Sequence, residues 1–233
     1  GNGSQFGINI QYKIQSKPEG IAQAFLIAED FIDNSSVTLI LGDNLFHGDF
    51  LVNRLKKNYL INEGATIFAY SVVDPERYGV VEFDSKGFAY NIEEKPKKPK
   101  SKFAITGLYF YDNTVVEKAK KIKPSYRGEL EITDLNKMYM KEGNLIVEKM
   151  NRGMTWLDTG TTDALHEASS YIRSLEKRQG LKIGCPEEVA WRVGFIDDEK
   201  LYSLSLDLTK SGYGKYLQTI LDESKDSLEI QKN

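Results

Sequence analysis

The run Val37-Thr38-Leu39-Ile40-Leu41-Gly42-Asp43-Asn44 decides the fold class of this sequence. Its opening segment, 37–41, is short and largely apolar, which is typical of a strand buried in a parallel sheet. Gly42 permits a ligand to approach the backbone closely, and Asp43 follows the carboxyl end of the strand, the edge at which open α/β sheets bind ligands. Asp43 is therefore a candidate binding residue, although an Asp at such a position can equally cap a turn or the next helix.

Helical and strand patterns alternate on both sides of this run. Apolar residues at helical spacing occupy 21–32, and a second amphipathic stretch covers 50–61 before a further strand at 65–72. A period-two alternation over 8–14 predicts another strand. Because strands and helices alternate, we expect a Rossmann-like α/β fold of three layers, with a mixed, mostly parallel sheet that carries helices on both faces.

The rest of the chain is predicted to complete this core and to add a helical tail. Two apolar segments on either side of Ser85-Lys86-Gly87 predict a hairpin. We expect a core domain over 1–161 and a helical C-terminal region over 162–233. The further predicted strands are 79–83, 88–92, 103–111, 145–150 and 154–157, and the further predicted helices are 113–121, 131–142, 162–177, 187–194 and 212–221.

The composition excludes several classes of function. The chain has 34 acidic and 31 basic residues, a net charge of −3, so we expect no nucleic-acid partner. No apolar run approaches the roughly 20 residues that span a bilayer, so we expect no membrane partner. The single Cys185 and the lack of a recognisable signal peptide favour the cytoplasm. His47 and His166 are the only two histidines, so the chemistry must rest on carboxylates, Lys and Arg.

A second Asp occupies a position like that of Asp43. The run Trp156-Leu157-Asp158-Thr159-Gly160-Thr161 again ends a predicted strand with an Asp before a Gly. Asp43 and Asp158 could converge on one Mg²⁺, which typically takes one or two protein carboxylates and completes its shell with substrate phosphate and water. Asp158 could also be the N-cap of the helix that follows.

Charged residues at the end of the hairpin suggest a sugar phosphate as ligand. Glu93 and Glu94 are adjacent on a strand and therefore point to opposite faces, which argues against the paired carboxylates of a glycosidase. Glu94 suits sugar hydroxyls and Lys95 suits a phosphate group, although solvated charges are the simpler alternative on chemistry alone.

Two further positions are weaker candidates. Arg127 lies in a predicted loop ahead of a helix, where it could bind an oxyanion or form an ordinary surface ion pair. Gln15 and Gly20 lie between a predicted strand and a predicted helix, where free backbone N–H groups could serve a base or a phosphate.

The order of these motifs resembles the sugar-nucleotide pyrophosphorylases, also called sugar nucleotidyltransferases, and most closely their thymidylyl-transferring members. The resemblance covers about Gly1 to Leu221, and Cys185-Pro186-Glu187-Glu188 and Tyr213-Gly214-Lys215-Tyr216-Leu217 carry it in the tail. In the core it rests on Pro75-Glu76-Arg77-Tyr78-Gly79-Val80-Val81-Glu82-Phe83, Glu93-Glu94-Lys95-Pro96, Thr106-Gly107-Leu108-Tyr109-Phe110-Tyr111-Asp112, Arg127-Gly128-Glu129-Leu130-Glu131-Ile132-Thr133-Asp134 and the run at 156–161.

The resemblance implies a role for each matching position. Asp43 and Asp158 match the Mg²⁺ ligands, and Gln15 and Gly20 match positions that hold the nucleotide base. Asp43, Lys95, Arg127 and Asp158 are the implied catalytic set. The implied sugar-phosphate-binding residues are Gly79, Glu94, Lys95, Ile105, Tyr109 and Arg127, and the implied regulatory residues are His47, Gly48, Cys185, Glu188 and Arg192.

The reaction that the resemblance implies joins dTTP and glucose 1-phosphate to give dTDP-glucose and pyrophosphate, with Mg²⁺ as cofactor. dTDP-glucose commonly leads to dTDP-rhamnose and surface polysaccharide. The resemblance further implies a homotetramer, in which the helical tail makes subunit contacts and helps to form a second nucleotide site.

One departure from the family pattern affects the expected activity. The family begins with a strand and a Gly-rich loop of the form G-G-x-G-T-R-L, followed by a lysine, and Gly1-Asn2-Gly3-Ser4 does not match it. We therefore expect the chain to be part of a longer protein and, taken alone, to be inactive. A relative that uses UTP and a catalytically dead module that binds sugar nucleotides are the two alternatives.

Overall fold

A computed structural model describes residues 1–48, 51–58 and 63–230. Its strands are β1 (Val37–Ile40), β2 (Asn44–Gly48), β3 (Ala65–Ser71), β4 (Gly79–Phe83), β5 (Ala89–Glu94), β6 (Phe103–Tyr111), β7 (Leu145–Lys149) and β8 (Met154–Asp158). Its α-helices are α1 (Gln23–Ile27), α2 (Glu29–Ile32), α3 (Leu51–Asn58), α4 (Val115–Ala119), α5 (Ile132–Lys141), α6 (Thr162–Gln179), α7 (Pro186–Arg192), α8 (Asp198–Asp207) and α9 (Tyr213–Ile230).

The chain forms two compact units. One is continuous, Lys13–Ala168, and the other joins Gly1–Tyr12 to Ser169–Asn233. The predicted boundary after residue 161 thus falls slightly early, because the division lies within α6. Residues 1–12, which we assigned to the core, group with the helical unit, where the side chain of Phe6 packs against the hydrophobic cluster that includes Cys185 and Leu217.

The larger unit contains a mixed sheet with strand order β5-β4-β6-β3-β7, and β1 pairs with β6 as well. Strands β1, β3, β4 and β7 run in one direction, whereas β5 and β6 run in the other. The mixed α/β class is confirmed. Among the described ladders, however, only β3–β7 is parallel, because the antiparallel β6 lies between strands that would otherwise be parallel neighbours.

Both faces of this sheet are covered, as three layers require. On one face, Ile67, Tyr109 and Tyr111 pack against Phe25 of α1 and Leu135 of α5. On the other face, alternate residues of the same strands pack against α3 and β8; they are Phe68, Ala104, Leu108 and Phe110, in contact with Leu51, Leu55, Met154 and Trp156. The period-two alternation of β3 and β6 between the two clusters sets the layering.

β6 has two different partners along one edge. Its carboxyl half pairs with β1, from Ile40 opposite Leu108 to Val37 opposite Tyr111, and its amino end pairs with β4. Neither partner pairs with the residues between these ladders, 105–107, although Leu41 N–H donates to the Gly107 carbonyl at 2.9 Å. The end of β1 thus meets the beginning of β4 across a gap in the sheet edge, which we call the β6 notch.

Most predicted elements are confirmed, with several corrections. The 21–32 segment forms two short helices, α1 and α2, and β1 is a partly exposed strand that pairs antiparallel with β6, where a buried parallel strand was predicted. Residues 8–14 are not a strand, because Ile8 N–H and Ile10 N–H donate to the local carbonyls of Gly3 and Asn2 instead of to a neighbouring strand. β2 and α8 were not predicted. The predicted helix 50–61 is observed as α3, while Phe50 and residues 59–61 lie outside the described residues.

The helical unit has its own core. Its buried residues come mainly from α7, α8 and α9 and from the loops between them; they are Cys185, Ala190, Ile196, Leu201, Leu217, Ile220 and Leu221. None of the described helices combines the length and the apolar character that a membrane span needs.

Candidate active site

The β6 notch opens into a cavity of about 510 Å³ in the larger unit. Its walls are formed by the turn after β1, the beginning of β4, the end of β5, the loop before α5 and the residues that follow β8. The polar side chains in its lining are Asp43, Asn44, Arg77, Tyr78, Glu94, Lys95, Tyr109, Arg127, Glu129, Glu131, Thr133, Trp156, Asp158 and Thr161.

The side chain of Asn44 fixes the geometry of the notch. Its Oδ1 accepts hydrogen bonds from Gly107 N–H of β6, at 2.8 Å, and from Trp156 Nε1–H of β8, at 2.6 Å. Its Nδ2 donates to Oδ1 of Asp43 at 2.8 Å. Position 107 must be glycine, since a Cβ there would lie 2.6 Å from the Asn44 carboxamide.

The pairing of β2 with β8 brings Asp43 and Asp158 together. Asn44 lies opposite Asp158 in this ladder, and the Asp43 carbonyl accepts both N–H and Oγ1–H of Thr159, at 2.8 and 2.9 Å. A Cβ placed on Gly160 would lie 3.2 Å from Asp158 Oδ1 and 3.6 Å from Asp43 Oδ2. Both carboxylates thus lie within 4 Å of one point beside Gly160, and their sharing of one Mg²⁺ stays a prediction.

These two carboxylates fit a hard divalent cation such as Mg²⁺. Such an ion needs few protein ligands because phosphate and water complete its shell. Within the described ranges there is no cluster of three or more His, Cys, Asp or Glu residues that could enclose a metal. Arg77 Nη2 lies 3.8 Å from Asp158 Oδ2, and Nη1 of the same guanidinium pairs with Asp74 at 2.9 Å.

A second group of predicted residues converges where β4 begins and β5 ends. A Cβ on Gly79 would lie 3.3 Å from Glu94 Oε2 and 3.5 Å from Ile105 Cδ1. Thr133 of α5 donates its hydroxyl to Glu94 in a short hydrogen bond. Burial raises the pKa of Glu94 and the negative charge of Glu131 adds to the rise, whereas the Thr133 hydrogen bond opposes it. The Glu94 carboxylate is thus held at a free-energy cost.

Lys95 and Tyr109 line the same cavity. Lys95 has a φ of 42°, a left-handed conformation that is rare for lysine and is often found at functional sites, and its N–H donates to the Tyr78 carbonyl at 3.0 Å. Tyr109 is buried, and burial raises the pKa of its phenol, so the hydroxyl is neutral at physiological pH.

Arg127 lies among three carboxylates on the cavity wall. Its Nη2 donates to Glu129 at 2.7 Å, whereas its Nη1 lies 3.6 Å from both Glu94 and Glu131. Glu131 is buried and accepts the hydroxyl of Ser125 at 2.8 Å. The cavity therefore presents one end with Asp43 and Asp158 and another with both basic and acidic side chains.

Gln15 and Gly20 are close to each other but do not line the cavity. Gln15 Nε2 donates to the Gly20 carbonyl at 3.2 Å. Gly20 has a φ of 103°, and a Cβ there would lie 2.4 Å from the Leu130 carbonyl oxygen, so its backbone packs against the loop that carries Arg127. The adjacent Ile21 does line the cavity. Their predicted contact with the nucleotide base stays a prediction.

The predicted regulatory residues are distributed over both units. His47 and Gly48 belong to β2 in the larger unit. In the helical unit, Arg192 Nε forms an ion pair with Glu188 at 2.7 Å on one face of α7. An ordinary surface ion pair of this kind is the alternative to a regulatory role for these two residues. Cys185 is buried and accepts the Tyr213 hydroxyl at 2.9 Å.

Several residues that line the cavity had no role predicted from the sequence. Asn44, Gly107 and Trp156 act together, but nothing in their spacing indicates that β2 pairs with β8. Arg77, Tyr78, Glu129, Glu131 and Thr133 lie within the motifs that carry the family resemblance, which is the one signal that could have indicated them.

Comparison with known proteins gives one consistent result. The profile of the nucleotidyl transferase family matches residues 1–174. Glucose-1-phosphate thymidylyltransferase of Mycolicibacterium smegmatis is 55% identical over 222 residues, which are 95% of this chain and 77% of the relative. The enzyme of the same name from Neisseria meningitidis serogroup A is 53% identical over 221 residues, again 95% and 77%.

A solved structure agrees with these relatives. It is the crystal structure of a candidate glucose-1-phosphate thymidylyltransferase from Bacillus anthracis in complex with sucrose. It is 41% identical in sequence and superposes with a TM-score of 0.67, covering 80% of this chain and 72% of the other.

The raised pKa of Glu94 predicts a pH-dependent cost to stability. The folded protein holds this proton more tightly than the unfolded chain, so stability falls as the pH rises from the unfolded pKa through the folded one. We expect Glu94→Gln to reduce that fall. The free energy of unfolding of the variant minus that of the parent should therefore be more positive at about pH 7 than at about pH 4. Urea unfolding at both pH values measures this.

Glu93→Gln is the matched control for this prediction, because Glu93 is the adjacent carboxylate and is exposed. An equal change in the pH dependence of both variants would contradict the assignment of the cost to Glu94.

Proposed function

This chain belongs to the nucleotidyl transferase family, and we propose that it transfers the thymidylyl group of dTTP to glucose 1-phosphate, giving dTDP-glucose and pyrophosphate. One structural observation connects the proposed reaction to particular residues. A single cavity contains two converging carboxylates, Asp43 and Asp158, together with a carboxylate, a lysine and an arginine suited to a sugar phosphate, Glu94, Lys95 and Arg127.

The reaction requires positioning and charge neutralisation more than covalent chemistry by the protein. A phosphate oxygen of glucose 1-phosphate attacks the α-phosphorus of dTTP, and a new P–O bond forms. The bond between that phosphorus and the oxygen bridging to the β-phosphate breaks, and pyrophosphate leaves with the electron pair. Side chains that hold both substrates in line supply the main catalytic effect.

Each end of the cavity has a part in this scheme. Glu94 accepts hydrogen bonds from sugar hydroxyls, and Gly79, its partner in the β4–β5 ladder, and Ile105 line the cavity beside the sugar. Lys95 and Arg127 bind the phosphate of glucose 1-phosphate, with Tyr109 as a neutral neighbour. Gln15 and Gly20 are proposed to contact the thymine base.

We assign the metal site to Asp43 and Asp158. Bound there, Mg²⁺ would neutralise phosphate charge and help to orient the nucleotide. Asn44 restrains Oδ1 of Asp43 through its amide, which leaves Oδ2 as the oxygen on the side of Gly160. The cytoplasmic location, the homotetramer and the second nucleotide site at Cys185, Glu188 and Arg192 stay predictions.

A coupled pyrophosphate-release assay tests the proposed function, with dTTP and UTP as competing nucleotides. In a protein that also carries the Gly-rich loop of the family, we expect release that depends on dTTP and glucose 1-phosphate together. Preference for UTP would favour a relative with a different nucleotide. Binding of both substrates without release by such a protein would favour a module that binds sugar nucleotides without catalysis, and absence of binding would overturn the proposal.

Loss of one carboxylate should weaken the metal site. We expect Asp158→Asn to lower the affinity for Mn²⁺, used as a spectroscopic substitute for Mg²⁺, by at least about tenfold. Metal titration followed by electron paramagnetic resonance measures it, and Asp163→Asn on the exposed first turn of α6 is the control. Equal affinities for Asp158→Asn and the parent would contradict the site. Where turnover is measured, kcat should fall more than KM rises.

Lys95→Ala should weaken the binding of glucose 1-phosphate without a comparable loss of dTTP binding. Removing a charged hydrogen-bond partner typically costs about 1.5–3 kcal/mol, or roughly a tenfold to hundredfold change in Kd. Calorimetric titration of each substrate measures the two affinities, and Lys97→Ala, outside the cavity lining, is the control. Equal losses for both substrates would show that Lys95 does not recognise the sugar phosphate.

A further inference from the structure

The pairing of Arg127 with Glu129 conflicts with the phosphate-binding role of Arg127. The Glu129 carboxylate accepts Nη2–H of Arg127 at 2.7 Å, and both side chains line the cavity. A carboxylate and a phosphate bind a guanidinium through the same donors and in similar geometry. Glu129 therefore occupies a donor that a phosphate group entering the cavity would use.

The charges around Arg127 also oppose the binding of a phosphate group. Three carboxylates, those of Glu94, Glu129 and Glu131, lie within 3.6 Å of the Arg127 guanidinium. Glu94 and Glu131 lie 3.6 Å from Nη1, beyond ordinary hydrogen-bond distance. Within the described part of the chain, Glu129 therefore makes the closest ion pair with Arg127, at 2.7 Å. A phosphate monoester brings nearly two further negative charges at neutral pH, and repulsion from this set opposes its binding.

The loop does not need this ion pair for its conformation. Ser125 N–H donates to the Glu129 carbonyl at 2.9 Å, Gly128 N–H donates to the Ser125 carbonyl at 2.9 Å, and Arg127 N–H donates to Ser125 Oγ at 3.1 Å. Leu130 N–H is bonded to the Glu19 carbonyl at 2.7 Å. These bonds hold the turn, and none of them involves the side chain of Arg127 or Glu129.

The ion pair is also accessible enough to open. The side chains of Arg127 and Glu129 are 24% and 32% exposed, so a released Glu129 carboxylate can be solvated. At this partial exposure, solvent screening reduces the contribution of the ion pair to stability. Displacement of Glu129 by a better anion therefore costs little, and the guanidinium keeps a charged partner in both states.

We propose that Glu129 is an internal competitor for the phosphate group of the sugar phosphate: it neutralises Arg127 in the empty cavity and is displaced when the phosphate binds. This inference rests on the proposed function, which assigns the phosphate to Arg127. Glu129 thereby weakens the affinity for sugar phosphates and acts as a positioning residue through Arg127, without itself touching the reacting atoms.

The test is a double-mutant cycle on the binding of glucose 1-phosphate by calorimetry. E129Q keeps the shape of the side chain and removes its charge, so we expect the Kd for glucose 1-phosphate to fall about two- to fivefold. R127A should weaken binding, and E129Q should give no gain in the R127A background. Where turnover is measured, E129Q should lower KM for glucose 1-phosphate without raising kcat.

E117Q is the matched control, because Glu117 Oε1 pairs with Lys120 at 2.8 Å outside the cavity lining, and it should leave binding unchanged. Unchanged or weaker binding by E129Q, with R127A still impaired, would overturn the inference and leave the proposed function standing. A gain that persists in the R127A background would also overturn it. If R127A binds glucose 1-phosphate as the parent does, the assignment of the phosphate to Arg127 fails, and the inference fails with it.

Discussion

The side-chain amide of Asn44 is the interaction on which the site depends. One carboxamide joins β6 through Gly107, β8 through Trp156 and the turn after β1 through Asp43. All three hydrogen bonds are short, and those to Gly107 and Trp156 are partly buried, where an unsatisfied donor is costly. The amide therefore fixes the separation of strands that are far apart in sequence, and the cavity takes its shape from that separation.

The β6 notch is the second constraint, and it explains why the cavity lies where it does. A continuous partner along this edge of β6 would fill the space beside Ile105 and Gly107 with backbone. β6 instead has two partners, β1 and β4, which run in the same direction. The carboxyl end of β1 therefore faces the amino end of β4 across the notch. Loops leave the sheet at this point, and they carry Asp43 and Tyr78 to the cavity wall.

The charges in the cavity are arranged at the expense of stability. Burial and a neighbouring carboxylate make the ionised form of Glu94 unfavourable, and Lys95 adopts a left-handed backbone conformation. Arg127 is neutralised by carboxylates that line the same wall. Such strain is expected where a ligand, and not the fold, supplies the compensating interactions.

The sequence by itself determined the α/β class, most helices and strands, and the candidacy of Asp43, Glu94, Lys95, Arg127 and Asp158, because periodicity and local motifs are properties of short segments. All five line one cavity. The sequence did not determine the antiparallel course of β6, the β2–β8 pairing or the hydrogen bonds of Asn44. These depend on which distant segments become neighbours, and register is set by the packing of whole strands, so only the tertiary structure decided them.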